Sequence, residues 1–184
     1  VMLSSRCNDL FPEKSSTKLS DIRRNLKKEI EAQKILGRSV FEVWINEDAP
    51  PADGTLDSWE ACLQAVRDCD VLIVLSNGNA GWAKTGGDIG ICHAEYAEGL
   101  ALARGKVRLI ALPWVPLAKG DQGARDQRFR EDLARQTAFR GGEVSTADDL
   151  RKRVFEALAD AVIVLTQRGV KSSASSRFGM GQAL

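Results

Sequence analysis

Apolar positions along this chain switch repeatedly between short continuous runs and a three-to-four spacing, a pattern that predicts strands alternating with helices. Val1-Met2-Leu3 is an apolar run closed by Ser4 and Ser5, read as a first strand and its loop. Leu19, Ile22, Leu26, Ile30 and Ile35 keep helical spacing, so a helix is predicted over residues 19–36, with Ser20 as its N-cap and Gly37 ending it. Residues 40–45 read as a second strand, and residues 46–55, with Pro50, Pro51 and Gly54, as a loop. Trp59, Cys62, Leu63 and Val66 share one face of a helix over residues 56–69.

Val71-Leu72-Ile73-Val74-Leu75 is apolar throughout, as in a strand covered on both faces. A glycine-rich loop (78–90) leads to a helix predicted over 93–104, and residues 107–112 form the next strand, stopped by Pro113 and Pro116. Residues 119–136 are highly charged, with an exposed helix predicted near 126–135. Residues 139–144 read as a weak edge strand. Thr146 caps a last helix running to about Thr166. From Gly169 the composition turns to Ser, Gly and Lys, so the predicted division is one domain over 1–168 and a mobile tail or linker over 169–184.

About four strand–helix alternations imply an α/β sandwich with a mainly parallel sheet. Right-handed crossovers set the loops after Leu3, Ile45 and Leu75 along the carboxyl edge of that sheet, where ligands of open parallel sheets bind. Glu95, in Cys92-His93-Ala94-Glu95-Tyr96, is the carboxylate that sequence order brings to that edge, with Glu98 its rival one turn later. Both could also be ordinary solvated helix charges. Ser4, Ser5 and Arg6 on the first loop offer hydroxyls and amides to a phosphate, or a serine-capped turn. Trp44 and Glu47 lie at the end of the second strand, where Trp44 could stack on a base or fill the core. Asn77, Asn79 and Trp82 could line the cleft, and the loop glycines match no phosphate-loop spacing.

Composition narrows the rest. The chain has 184 residues, 43% hydrophobic and 28% charged, with net charge +1, which offers no bulk attraction for nucleic acid or an anionic membrane. It carries no apolar run long enough to span a bilayer and no signal-peptide pattern. Four cysteines without metal-ligand spacing fit a reducing compartment, so the expected location is cytoplasmic. The single histidine, His93, has no ligand cluster beside it, and no metal site is expected. The start inside a strand and the Ser/Gly-rich end suggest a domain excised from a longer polypeptide.

A family resemblance adds to this reading. The strand with Ser4-Ser5 and Asn8-Asp9-Leu10, then Cys62 through Cys69-Asp70-Val71, then Glu95-Tyr96, resembles a TIR-like family of unknown function found N-terminal to NTPase and repeat-containing segments. That family is similar in fold to Toll/interleukin-1 receptor (TIR) domains and nucleoside deoxyribosyltransferases. The resemblance implies a flavodoxin-like three-layer α/β sandwich. It also implies a glutamate that cleaves N-glycosidic bonds, and Cys92-His93-Ala94-Glu95 looks like the TIR Cys-x-x-Glu element. On that basis Glu95 is the expected catalytic residue, with Cys92 beside it; the loop positions above make Ser4, Ser5, Arg6, Trp44, Glu47, Asn77 and Trp82, together with Cys92, the expected nucleotide-binding residues. The chain departs from the TIR pattern at Ile91, where TIR enzymes commonly have tryptophan; the nearest one upstream is Trp82. The resemblance implies an effector that hydrolyses the nicotinamide–ribose bond of NAD in defence or signalling, with NAD as substrate, no required cofactor, and activity on self-association. A non-catalytic self-association module and a nucleotide-signal receptor or deoxyribosyltransferase-like enzyme are the alternatives.

Overall fold

A computed structural model of the chain describes residues 1–48, 57–135, 139–140 and 144–178. Four strands, β1 (Met2–Ser4), β4 (Leu72–Ser76), β5 (Val107–Ala111) and β6 (Phe139–Arg140), form one parallel sheet in that spatial order. Beyond β1 the chain around Trp44 adds a parallel bridge, Met2 against Trp44. Numbered along the chain, the order across the sheet is 2-1-3-4-5, the flavodoxin-like arrangement. The predicted α/β class and parallel sheet are therefore present.

Alternation of side chains along each strand divides the core into two layers. Leu3, Ile73, Leu75 and Ile110 face α1 (Leu19–Glu31) and α5 (Ala147–Phe178), where Leu26, Ile30, Leu150 and Val154 meet them. Met2, Leu72, Val74 and Leu109 face α2 (Ser58–Asp68), α3 (Ile91–Leu102) and α4 (Gly120–Arg135), meeting Val66, Tyr96 and Phe129. Helices on both faces explain why residues 71–75 are apolar without interruption. Gly99 lets α3 lie close on the sheet, since a Cβ there would be 2.7 Å from Leu72 Cδ2.

Several boundaries differ from those predicted. Helix α1 ends at Glu31, and residues 34–39 form a hairpin, β2 (Lys34–Ile35) antiparallel to β3 (Arg38–Ser39). Ile35 continued the helical spacing by coincidence, and it is exposed. Ser20 is buried in the first turn, where the helix follows Lys18 without a side-chain cap. Residues 40–45 contribute only the bridge at Trp44, followed by a short 3-10 turn, Asn46–Asp48. This edge segment is finished by α1: the Val43 N–H donates to Glu31 Oε1 at 3.0 Å, and Lys27 Nζ donates to the Val43 carbonyl at 2.8 Å.

Helix α4 begins six residues earlier than predicted and is not simply exposed: Phe129 and Leu133 are buried against the sheet. Thr146 does cap α5, its hydroxyl accepting from the Asp149 N–H at 3.1 Å. That helix runs to Phe178, so part of the predicted tail is helical. Pro50, Pro51 and Gly54 of the predicted loop, residues 141–143 of the predicted edge strand, and residues 179–184 lie outside the described residues. No described helix is long and apolar enough to cross a membrane.

Candidate functional site

The carboxyl ends of β1 and β4 and the start of α3 converge on Glu95. It is 5% exposed, and the Ser4 hydroxyl, also buried, donates a short hydrogen bond to its Oε2. The thiol of Cys62 on α2 lies within hydrogen-bonding reach on another side. Burial raises the Glu95 carboxyl above its usual 4.5; the Ser4 hydroxyl, Cys62 and the positive charge of Arg23 work the other way without cancelling it. Among the described residues Glu95 has no ion-pair partner of its own. Glu98, one turn on, is 30% exposed and paired with Arg67 of α2 at 2.8 Å. The two candidate glutamates are thus in different settings, one buried in a polar cluster and the other at the α2–α3 seam.

Arg23 organises the cluster from α1. It is 2% exposed; its Nη1 donates to the Ser5 carbonyl at 3.0 Å, and its Nη2 donates to Cys7 Sγ at 3.1 Å and pairs with Glu47. Burial opposes its charge, but Glu47 and Cys7 more than compensate, leaving the guanidinium held above its usual value. Sequence reasoning did not single out Arg23, although a signal existed. It stands four residues after Leu19, on the apolar face of the helix, where an arginine needs partners. Cys62 and Cys92 are both buried, and burial followed by the nearby Glu95 charge pushes both thiols well up, so they remain protonated.

A second polar group lies along the rim. Asp9 accepts from Asn77 Nδ2 at 2.7 Å and Asn79 Nδ2 at 3.2 Å, and Arg6 Nε lies 3.8 Å from its other oxygen. Asn77 is buried and borders a small cavity of about 40 Å³ with Phe11, Leu112 and Trp114. Asp9 was not among the predicted site residues, although the Asn8-Asp9-Leu10 element that carries the family resemblance contains it.

The loop between β4 and α3 folds onto its own helix. The first N–H groups of α3 are occupied: Ile91 donates to the Trp82 carbonyl at 2.8 Å, and Cys92 and His93 donate to the Ala80 carbonyl at 2.9 and 3.3 Å. Gly90 is required at that junction, since a Cβ would come within 2.2 Å of the Ala80 oxygen. These amides are therefore not free donors for a phosphate.

The predicted nucleotide-binding residues fall into four places. Ser4, Ser5, Arg6, Glu47 and Cys92 gather in or beside the Glu95–Arg23 cluster, where the Ser4 hydroxyl is engaged by Glu95 and the Ser5 hydroxyl donates to the Arg6 carbonyl at 3.2 Å. Asn77 belongs to the rim. Trp82 is 44% exposed and packs edge-to-face on Trp59 at 5.4 Å. Trp44 is half-buried, and with Val1 and Val71 it lines a groove of about 920 Å³ at the amino ends of the strands, away from Glu95. His93 stacks on Phe129 at 5.0 Å and bonds Asp132 at 2.7 Å. Among the described residues no group of three or more His, Cys, Asp or Glu side chains is placed to hold a metal ion.

No curated protein matches the sequence. A family model does match it over residues 1–159, which takes in the sheet, the Glu95 cluster and the first part of α5, and the chain belongs to that family, described as a domain of unknown function (DUF4062).

Proposed function

We propose that this domain cleaves the nicotinamide–ribose bond of NAD or a related dinucleotide, with Glu95 as the reacting carboxylate, as the sequence resemblance to TIR enzymes implies. The observation that carries the reading is the environment of Glu95. It is a buried carboxyl at the carboxyl edge of a parallel sheet, hydrogen-bonded to one hydroxyl and, among the described residues, offset by no direct ion pair. Such a group is costly to keep, and carboxylates kept at that cost cluster at sites that need them.

The chemistry is simple to assign. The C1′–N1 bond breaks, its electron pair goes to the nicotinamide ring, and nicotinamide leaves neutral without a general acid. Positive charge grows on the ribose, and a carboxylate beside C1′ stabilises it. Water then adds to C1′ and loses its proton, giving ADP-ribose. Ser4 would hold the carboxylate oriented, and Arg23 would favour its ionised form through space.

The test is release of free nicotinamide from NAD at millimolar concentration, followed by chromatography. The wild-type chain is expected to release it, Glu95→Gln to abolish release, and Glu98→Gln to leave it nearly unchanged. Turnover that survives Glu95→Gln removes Glu95 from the mechanism. Calorimetric binding of NAD without turnover would replace the hydrolase with a nucleotide receptor, and neither binding nor turnover would remove the nucleotide altogether.

A further inference from the structure

The hairpin after α1 presents its apolar residues outward. Leu36 is 98% exposed, Ile35 51% and Val40 45%, so three aliphatic side chains within six residues face solvent. Single exposed aliphatics are ordinary, but a group of them at a protruding tip marks a contact surface. The turn strengthens this reading. Leu36 and Gly37 are its two central residues, with φ of 50° and 79°, a geometry that favours Asn-Gly. A leucine there is strained in the left-handed region, and its side chain touches nothing that would hold it. Local stability is given up at the one position where the result is a fully presented leucine. Lys34 and Arg38 flank the tip, both exposed and without an ion pair among the described residues.

The groove of about 920 Å³ at the amino ends of the strands has the complementary character. Its walls include Phe41, Trp44, Val71 and Leu165, and its lining side chains contribute five carboxylates against the single cation Lys27. Lys27 is already paired, with Asp48 at 2.7 Å and Glu31 at 3.6 Å. Glu42, Asp68 and Asp70 make no ion pair among the described residues. The tip is thus apolar between cations, and the groove is apolar beneath carboxylates. The hairpin does not fill the groove of its own chain, since Leu36 is almost wholly exposed.

We infer that the occupant of the groove is a second copy of this chain, with the Ile35 and Leu36 tip of each hairpin seated in the groove of the other. Hairpin and groove adjoin in the chain through Val40, so a two-fold axis beside this edge satisfies both contacts at once, as an isologous dimer requires. Aliphatic burial supplies affinity, and the charges set orientation and make it salt-sensitive. The inference is independent of any catalytic role for Glu95, which lies at the opposite end of the strands.

Sedimentation velocity from micromolar to submillimolar concentration tests it. A dimer that weakens with added salt is expected. Leu36→Asp, at a position with no core contact, should weaken dimerisation about tenfold or more while circular dichroism stays native. Asp68→Lys with Asp70→Lys should weaken it comparably from the groove side. An equimolar mixture of these two variants retains one intact hairpin–groove contact per pair, so it should associate better than either alone. A chain monomeric throughout overturns the inference, as does a dimer indifferent to Leu36→Asp or to the groove charges. A mixture no better than its components overturns reciprocal seating.

Discussion

Replacing Ser4 by alanine removes one oxygen from the end of β1 and leaves the buried carboxylate of Glu95 without its hydroxyl partner. Ser4 is 1% exposed and Glu95 5%, so bulk water does not take the place of the lost donor. The volume removed is that of a single hydroxyl, and the cost is therefore electrostatic. A hydrogen bond to a charged group contributes about 1.5–3 kcal/mol, so the expected loss is about 2 kcal/mol where Glu95 is ionised. Where Glu95 is protonated, the lost bond is between neutral groups, and the loss falls to about 1 kcal/mol. The direction of the pH dependence follows from the raised carboxyl. Its folded-state affinity for a proton exceeds the unfolded one, so its contribution to stability is complete below about 4.5 and declines as pH rises through the folded value. Ser4 holds that folded value down, and its removal carries the decline to higher pH. Urea unfolding followed by tryptophan fluorescence, at mildly acidic and mildly alkaline pH, measures both effects. An equal loss at both pH values, or an alkaline loss below about 0.5 kcal/mol, a size typical of unconnected surface changes, would mean that the Ser4 hydroxyl does not stabilise an ionised Glu95.

Glu95→Gln should flatten the same pH profile, leaving stability unchanged in acid and raising it in alkali, read in the same unfolding experiment. Leu36→Asn, better suited to positive φ, should raise stability by about 1 kcal/mol while weakening self-association, measured by thermal unfolding and sedimentation. Asp126→Ala strips the acceptor from the buried Ala80 N–H, 2.9 Å away, and should cost about 1–3 kcal/mol in denaturant midpoint and slope. Phe129→Ala, at a fully buried ring against His93 and Tyr96, should cost about 3–5 kcal/mol by the same measurement.

What could be read from the sequence was what local periodicity encodes. The run 71–75 is β4 shifted by one residue, because a strand covered on both faces has no polar position to confuse its limits. Edge elements were harder. Residues 40–45 have strand composition but form one bridge, since their outer hydrogen bonds go to Lys27 and Glu31 side chains. The helical spacing of α1 continues through Ile35, although the chain has already turned into the hairpin there. Glu95 could be placed at a helix start after the third strand. Its contact with Ser4, 91 residues away, and the anchoring of Arg23 by Glu47 could not, because neither leaves a local pattern. The groove beneath Trp44 was equally invisible, being made where separate helices fail to meet.

Lys27 and Glu31 supply the outermost segment with the hydrogen bonds that a neighbouring strand would otherwise offer. The border of the sheet is consequently drawn by two charged side chains and not by a steric wall, which makes it chemically removable. A chain lacking both would bare the amide and carbonyl of Val43 at an unpaired edge, the kind of foothold from which ladders between molecules, and ultimately fibrils, can grow.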